Sequence, residues 1–372
     1  MIRCSALLLI AALAACDAAD RVGPRPEAVL PPDADRFGAP DRVVRAGESI
    51  QDAVTAAEAG DVIHIEPGLY VESITVNTPG IKLIGMRDRA GAGVVIENPG
   101  GARNGIFVGD GADGFALANV TVRGFDRNGV FLVRVDGFLL SRVHTEDNGT
   151  YGLFPVRSSN GVIEFSSAFG HADAGIYVGL SSDVSVRRSV AIANVIGIEI
   201  ENSTNIQVVA NEATDNVAGV LVVLLPGFDV NTSSDVLVAG NRVRDNNREN
   251  FADEGFAAAV PPGSGILVVG SDRTIVEGNT VTGNDFVGIG VGSTLLLGAL
   301  ADLPPEAFDD IEPNPDGVRV SDNAVTGNGA APPPLPIPLP GVDLFWDLSG
   351  TDNCWSGNVF DSSFPPELPA CD

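Results

Sequence analysis

The sequence predicts an all-β fold, a single-stranded right-handed parallel β-helix of 22 to 24 residues per coil with a short N-terminal capping helix, and three observations predict it. A glycine followed by an apolar-x-apolar triplet recurs at Gly105, Gly129, Gly152, Gly175, Gly197, Gly219, Gly265, Gly288 and Gly341, with gaps of 22 to 24 residues wherever no loop intervenes. A second signature, Asn-x-x-x-x-Asn, recurs at Asn211 with Asn216, Asn241 with Asn246, Asn279 with Asn284, Asn323 with Asn328, and Asn353 with Asn358. The composition, 44 Gly and 25 Pro among 372 residues, is that of a turn-rich chain. A fixed period means that each unit buries its apolar face only against its neighbours, so the stack is what folds.

From the N-terminus, residues 1–16 combine a basic start at Arg3 with an apolar run from Ala6 to Ala12, too short to span a bilayer as a permanent helix. The run ends in Leu13-Ala14-Ala15-Cys16, which resembles a bacterial lipobox. That resemblance implies export and a lipidated Cys16, with Cys4 discarded and the body tethered to a membrane by acyl chains. Residues 17–42, rich in Pro, Ala, Asp and Arg, read as a flexible tether. The β-helix is expected over 43–372. Ser49 followed by Asp52 in Glu48-Ser49-Ile50-Gln51-Asp52-Ala53-Val54 marks a short helix start, well placed to cover the open end of a solenoid.

In the regular coils the residue after each glycine is Ile, Val or Leu, as at Ile106, Val130, Leu153, Ile176 and Val342, and the third is mostly aliphatic. Alternation along a strand turns positions one and three inward and position two outward. The asparagines are expected to stack as amide ladders at turns. Coils rising about 4.8 Å each make a rod on the order of 45 Å from nine or ten of them. Segments near 224–234, 247–264, 293–316 and 329–340 break the period; such insertions wall a binding face or simply cover it. Cys354 and Cys371, in an exported chain, are expected to form a disulfide, worth roughly 3 kcal/mol on the chain-entropy model.

The net charge of -27 argues against nucleic acid, because a phosphate-binding surface needs clustered Lys and Arg. Chemistry is expected on the outward positions. Phe107, Phe131, Phe154 and Tyr177 occupy position two of four successive coils, a ladder on which sugar rings can stack or which a loop covers, with Tyr151 beside it. Arg134 and Arg157 fall one above the other at position five, a pair suited to an anionic ligand group or to surface carboxylates such as Asp110. Glu199 and Glu201 share one strand face, as a carboxylate pair, a Ca2+ site or plain solvated surface. His171 holds a turn position that asparagine fills in neighbouring coils; it is a ladder member or, with Asp173, a general base.

The opening Gly47-Glu48-Ser49-Ile50-Gln51-Asp52-Ala53-Val54, then Gly60-Asp61-Val62-Ile63 and Pro67-Gly68-Leu69-Tyr70, resembles the start of right-handed parallel β-helix proteins of the pectin-lyase-like superfamily. The Asn-x-x-x-x-Asn coils are similar to the repeats of nitrous-oxide-reductase accessory β-helix proteins. More narrowly, Asp147-Asn148-Gly149-Thr150-Tyr151-Gly152-Leu153-Phe154-Pro155-Val156, Ala174-Gly175-Ile176-Tyr177-Val178-Gly179, Val260-Pro261-Pro262-Gly263 and Asp352-Asn353-Cys354-Trp355 resemble a family of exported β-helix lipoproteins. That resemblance implies fold, export and a periplasmic or cell-surface location. It also implies an exported c-type haem protein as a possible partner, since the family is commonly encoded beside one. The Asp-Pro-His-Asp of alginate epimerases, the Gly-His-Gly of polygalacturonases and the Asp pair with Arg of pectin methylesterases are missing; dispersed lyase residues leave no such signature. The leading expectation is a lipid-anchored envelope protein that binds a carbohydrate and processes it in the manner of a lyase or epimerase, with no cofactor required beyond Ca2+. The alternatives are a non-catalytic scaffold for the haem protein and a degenerate enzyme kept for its fold.

Overall fold

A computed structural model describes residues 34–88 and 91–372. The signal segment, Cys16 and the tether as far as residue 33 lie outside the described residues. Among the described residues, one side of the molecule is an eleven-stranded ladder running from Ile74–Val76 and Asn104–Val108 to Val342–Trp346 and Ser363–Phe364. A twenty-one-stranded sheet wraps the remaining sides. Every paired strand is parallel, and each pairs with the strand one coil away, as in Ile106 opposite Val130, Leu153 opposite Val130 and Leu153 opposite Ile176. The architecture is a right-handed parallel β-helix, the hand that parallel crossovers adopt. Ten steps of strand spacing give a stack of about 48 Å.

The inward columns are dry. Ile106, Val130, Leu153, Ile176, Ile198, Val220 and Ile266 are fully buried, and with Val120, Val143, Val208 and their counterparts they form one continuous core. At the N-terminal end, helix α1 (Ile50–Thr55) turns Ile50 and Val54 into that core. Ser49 caps it by accepting from the Asp52 amide, and the Glu72 carboxylate takes the amides of Ile50 and Gln51 at 2.8 and 3.0 Å. Three of the first-turn N–H groups are thereby satisfied and the acidic cap suits the helix dipole.

The glycine period has a steric cause. A Cβ on Gly129 would lie 2.7 Å from the carbonyl oxygen of Gly152 in the next coil and 2.8 Å from Asn148 Nδ2; on Gly219 it would lie 2.8 Å from the Gly265 oxygen and 2.9 Å from Asn246 Nδ2. No dihedral requirement operates at these positions; there is simply no room. The crowding atom is itself a ladder member, so the two sequence signatures are two sides of one contact. In one ladder Asn211, Asn241, Asn279 and Asn323 each pass Nδ2 to the Oδ1 of the next member at 2.9–3.0 Å, ending at Asn358. In the other, Asn194, Asn216, Asn246, Asn284 and Asn328 do the same at 2.9–3.1 Å. Each Oδ1 also accepts a backbone amide, as Asn279 Oδ1 does from Asn241 at 2.8 Å, so the buried turns are satisfied.

Three boundaries differ from the sequence expectation. Residues 34–42 belong to the body and not to the tether: Ala34–Phe37 forms a 3-10 turn, Phe37 packs on Val62, Ile84 and Ala118, and Arg36 pairs with Glu164. In the last coil Val342 stands opposite Val287 and Leu344 opposite Ile289, so Asp343 and not Gly341 takes the glycine place. The reason is the end of the ladder, where no further asparagine follows and Asp343 Oδ1 accepts from Asn328 Nδ2 at 2.9 Å. Asn353 likewise leaves the ladder that Asn358 continues and accepts instead from the Val318 amide. Cys354 and Cys371 are bonded to each other, as expected, with their Cα atoms 4.8 Å apart.

Gly129→Ala is expected to destabilise the fold by about 2 kcal/mol or more, since both crowding atoms are fixed backbone or ladder groups. Gly93→Ala, where an added Cβ meets nothing within 4 Å, is the control and should be neutral in the same urea titration.

Candidate functional site

The eleven-stranded ladder presents its outward side to four kinds of column. At position two, Phe107, Phe131 and Phe154 stack coil upon coil, with ring centroids 5.4 and 4.9 Å apart. Tyr151, from the position before the glycine, lies flat against Phe154 at 4.1 Å and 7°. These four rings are half-buried and floor an open face. Two positions before the glycines, Arg103, Arg127, Thr150 and Asp173 follow one another, tied by amide bonds such as Thr150 to the Arg127 oxygen and Asp173 to the Thr150 oxygen. Arg103 and Arg127 border a cavity that has Asn128, Phe131, Tyr151 and Phe154 as its other walls.

At the far end of each strand Arg134 and Arg157 occupy successive left-handed turns, both at φ 53°, and border a second cavity with Asp136 and Ser159. The aromatic floor therefore has an arginine edge on each side. Arg157 is gripped in two-pronged fashion by Asp229 of the 224–234 insertion, at 2.6 and 2.8 Å, and this pairing lowers the Asp229 carboxyl pKa. Arg134 touches Asp110 at 3.9 Å only. Arg103 and Arg127 were not singled out in the sequence, although their fixed offset from the glycine would have revealed them.

The column changes character at Tyr177, which is buried together with Glu199 and Glu201 of the next coil. The expectation that Glu199 and Glu201 face solvent is thus corrected, while at Tyr177 the alternative of a covering loop holds; the cause is cover. Leu225, Ala257, Val260 and Leu297 pack over Tyr177, Leu221 and Val223. These four residues come from the insertions at 224–234, 247–264 and 293–316, the last including helix α2 (Thr294–Leu300). The Tyr177 hydroxyl donates to Glu201 Oε1 at 2.9 Å, and its ring lies where a side chain at position 179 would stand, a space left by Gly179. Glu199 Oε2 has no hydrogen-bond partner.

Burial without a cation sets the protonation here. Burial pushes the Glu199 carboxyl well up, and the charges of Asp173 and Glu201 push it further. Burial raises Glu201 to about 7 against the pull of the Tyr177 hydroxyl, and Asp173 to about 6 against that of Tyr151. Both phenols are raised by burial and by these carboxylates.

Two catalytic and metal expectations are corrected. His171 is fully buried inside the ladder: its amide donates to Asn194 Oδ1, Nδ1 donates to the Asn148 carbonyl at 3.0 Å, and Nε2 meets Thr145 Oγ1 at 3.1 Å. Burial holds its pKa down at about 4, and it points away from Asp173's outward column, so it is a turn member and not a base. For Glu199 and Glu201, calcium wants six to eight oxygens. Among the described residues no group of three or more His, Cys, Asp or Glu is arranged to hold a metal ion, and phenol and apolar cover surround the pair. The donor set does not fit the cation.

Residues 93–224 match the family model described as "Right handed beta helix region". The A-module of mannuronan C-5 epimerase AlgE4 from Azotobacter vinelandii has a similar structure, with a TM-score of 0.63 and 18% identity over 87% of this chain and 86% of that one. The fold of this chain is that of a right-handed β-helix. The A-module of the Azotobacter vinelandii mannuronan C-5 epimerase AlgE6 resembles it at a TM-score of 0.56, with 17% identity over 85% of this chain and 94% of that one. DFA-IIIase from Arthrobacter chlorophenolicus A6, solved in complex with GF2, follows at 0.51, with 13% identity over 84% and 94%. At these identities the likeness is one of fold. No curated protein matches the sequence.

The raised carboxyls make the β-helix protein's stability fall with pH. A carboxyl whose folded value exceeds its unfolded one contributes fully below the unfolded value and loses that contribution as pH rises through the folded one. For Asp173 and Glu201 the loss falls between about pH 4 and about pH 7, with up to about 3 kcal/mol from Glu201 alone. Urea titrations across that window should show the decline, and Glu201→Gln should flatten it.

Proposed function

We propose that this β-helix protein binds an acidic carbohydrate chain along the solenoid axis, over the floor of Phe107, Phe131, Phe154 and Tyr151. The observation that carries the reading is the stacked aromatic floor with an arginine edge on both sides. Sugar rings stack on aromatic faces, and guanidinium forks fit carboxylates. On a body of charge -27, four arginines at one groove form a local attractive strip for an anion that the rest of the surface repels. Proteins of the same fold act on carbohydrates, among them the mannuronan C-5 epimerases and the DFA-IIIase. A lyase-like or epimerase-like step would begin with a proton taken from a sugar carbon, and the titratable pair that reaches this floor is Tyr151 with Asp173. The disulfide supports export to an oxidising compartment, and Cys16 would fix the body to the envelope.

In a glycan-binding screen followed by calorimetry, acidic oligosaccharides are expected to bind and neutral ones of the same length to bind more weakly. Phe131→Ala and Tyr151→Ala should each weaken binding by about tenfold or more, the scale of a lost ring stack. Arg127→Gln should reduce the affinity for acidic chains alone and flatten its salt dependence. A screen in which no glycan binds overturns the reading. Deuterium uptake at sugar carbons from D2O, expected with the native protein and lost in Asp173→Asn, distinguishes processing from binding.

A further inference from the structure

The rung after Tyr177 should, by register, continue the groove floor: Glu199 stands opposite Tyr177, and Leu221 opposite Glu199. It is closed instead by the three insertions, and it holds buried carboxylates. Glu199 and Glu201 lie side by side on one strand, Asp173 is close enough to raise both, and Glu199 Oε2 is buried with no partner. What faces them from the neighbouring strands is Tyr177 on one side and Leu221 and Val223 on the other, with the Tyr151 phenol one coil beyond Tyr177. What faces them from above is Leu225, Ala257, Val260 and Leu297. The nearest guanidinium, Arg157, acts on Tyr177 from the groove edge and is itself taken by Asp229. The insertions carry one basic residue, Arg248, paired with Asp215, and their own carboxylates, such as Asp253, Glu254 and Asp309, are exposed. Among the described residues, no cation therefore neutralises the buried carboxylates once they ionise.

The 250–260 part of the cover is built to lift, whereas Leu225 is held to the coil by hydrogen bonds with Asn202. Hydrogen bonds of residues 250–260 close within the segment: Asn250 Nδ2 donates to the carbonyls of Ala257 and Val260, and Asn250 Oδ1 accepts from the Ala252 amide. The segment thus holds its own shape and sits on the rung by apolar contact.

We propose that residues 250–260 form a proton-operated cover over the rung that ends the binding groove, shut while Glu199 and Glu201 hold their protons and opened when they ionise. The proposal rests on the carbohydrate-groove reading for its purpose, but the motion is independent of any ligand. Water must enter to solvate two adjacent charges under an apolar roof, and the roof is the part that can move. Opening uncovers the Tyr177 and Glu199 rung at the end of the floor, where two ionised carboxylates stop an acidic chain from running further. Between the ordinary carboxyl value and the raised one, each group increases the opening constant about tenfold per pH unit.

Hydrogen exchange on the full chain, corrected for intrinsic rates, tests this with no glycan present. Protection of residues 252–260, relative to the strand Ser264–Val269, should fall by at least about a hundredfold between about pH 5 and about pH 8. In Glu199→Gln/Glu201→Gln the fall should shrink to about tenfold, the share of Asp173. Tyr177→Phe, which removes the hydroxyl that holds Glu201 down, should move the transition to higher pH and serves where the double variant does not fold. A native protein whose cover is equally protected at both pH values overturns the proposal, as does a variant that opens like the native protein. Failure of the glycan screen with a pH-driven opening intact would sink the groove reading and leave the cover.

Discussion

The distance between neighbouring coils at the glycine column governs the rest of this structure. Parallel strands on adjacent coils stand about 4.8 Å apart whatever their side chains, so a turn that brings a ladder amide against the strand above it has no space for a Cβ. Glycine is the answer to that geometry in Gly129, Gly152, Gly175 and their successors, and the amide beside it satisfies the buried turn that the same closeness creates. Because every coil solves the same problem at the same place, each remaining position becomes a column. A β-helix therefore builds surfaces by stacking like residues, and the floor proposed for binding is three phenylalanines and a tyrosine rather than a constellation gathered from distant loops.

The same constraint decides which polar residues are available for chemistry. A histidine at His171 is admitted to the ladder because its ring nitrogens reach the Asn148 carbonyl and the Thr145 hydroxyl, reproducing what an amide does there. Full burial then keeps it neutral, and an imidazole fastened at both nitrogens has no proton to trade with a ligand. Ser166 and Ser189 likewise precede Asn211 in the other ladder, accepting from the Val143 and Ser166 amides. Substitution inside the ladder follows hydrogen-bonding capacity, whereas substitution on the outward columns is free to follow the ligand.

What the sequence made legible was what repeats. Ile106, Val130, Leu153 and Ile176 align because their period is that of the coil, and the stacking of Phe107, Phe131 and Phe154 follows from the same count. The insertions have no period, so nothing in their sequence says over which rung Ala257 or Leu297 comes to rest. For that reason Tyr177, Glu199 and Glu201 were legible as outward and illegible as buried. The last coil fails differently: Gly341 matches the glycine pattern, but a ladder needs a terminal acceptor more than it needs a glycine, and Asp343 supplies one by shifting the register two residues. Arg103 and Arg127 were a column in plain sight, at an offset from the glycine where the other coils carry Thr150, Asp173 and Val195.

Charge and position together explain how one face serves both attraction and exclusion. Lys82 is the chain's one lysine, so nearly all its positive charge is guanidinium, and four of those groups frame the groove. A planar fork binds a carboxylate through two parallel hydrogen bonds and is weakly hydrated, so it releases one such partner for another at small cost. Asp229 on Arg157 shows the geometry a ligand carboxylate would adopt, at an exposed site where solvent screening keeps an ion pair weak. Two coils further on, the same strand face carries Glu199 and Glu201, opposite Tyr177 and Gly179 of the coil before, and once ionised they repel an acidic chain. The sign of the column thus sets where an anionic ligand ends, and the apolar cover stands where the attraction stops.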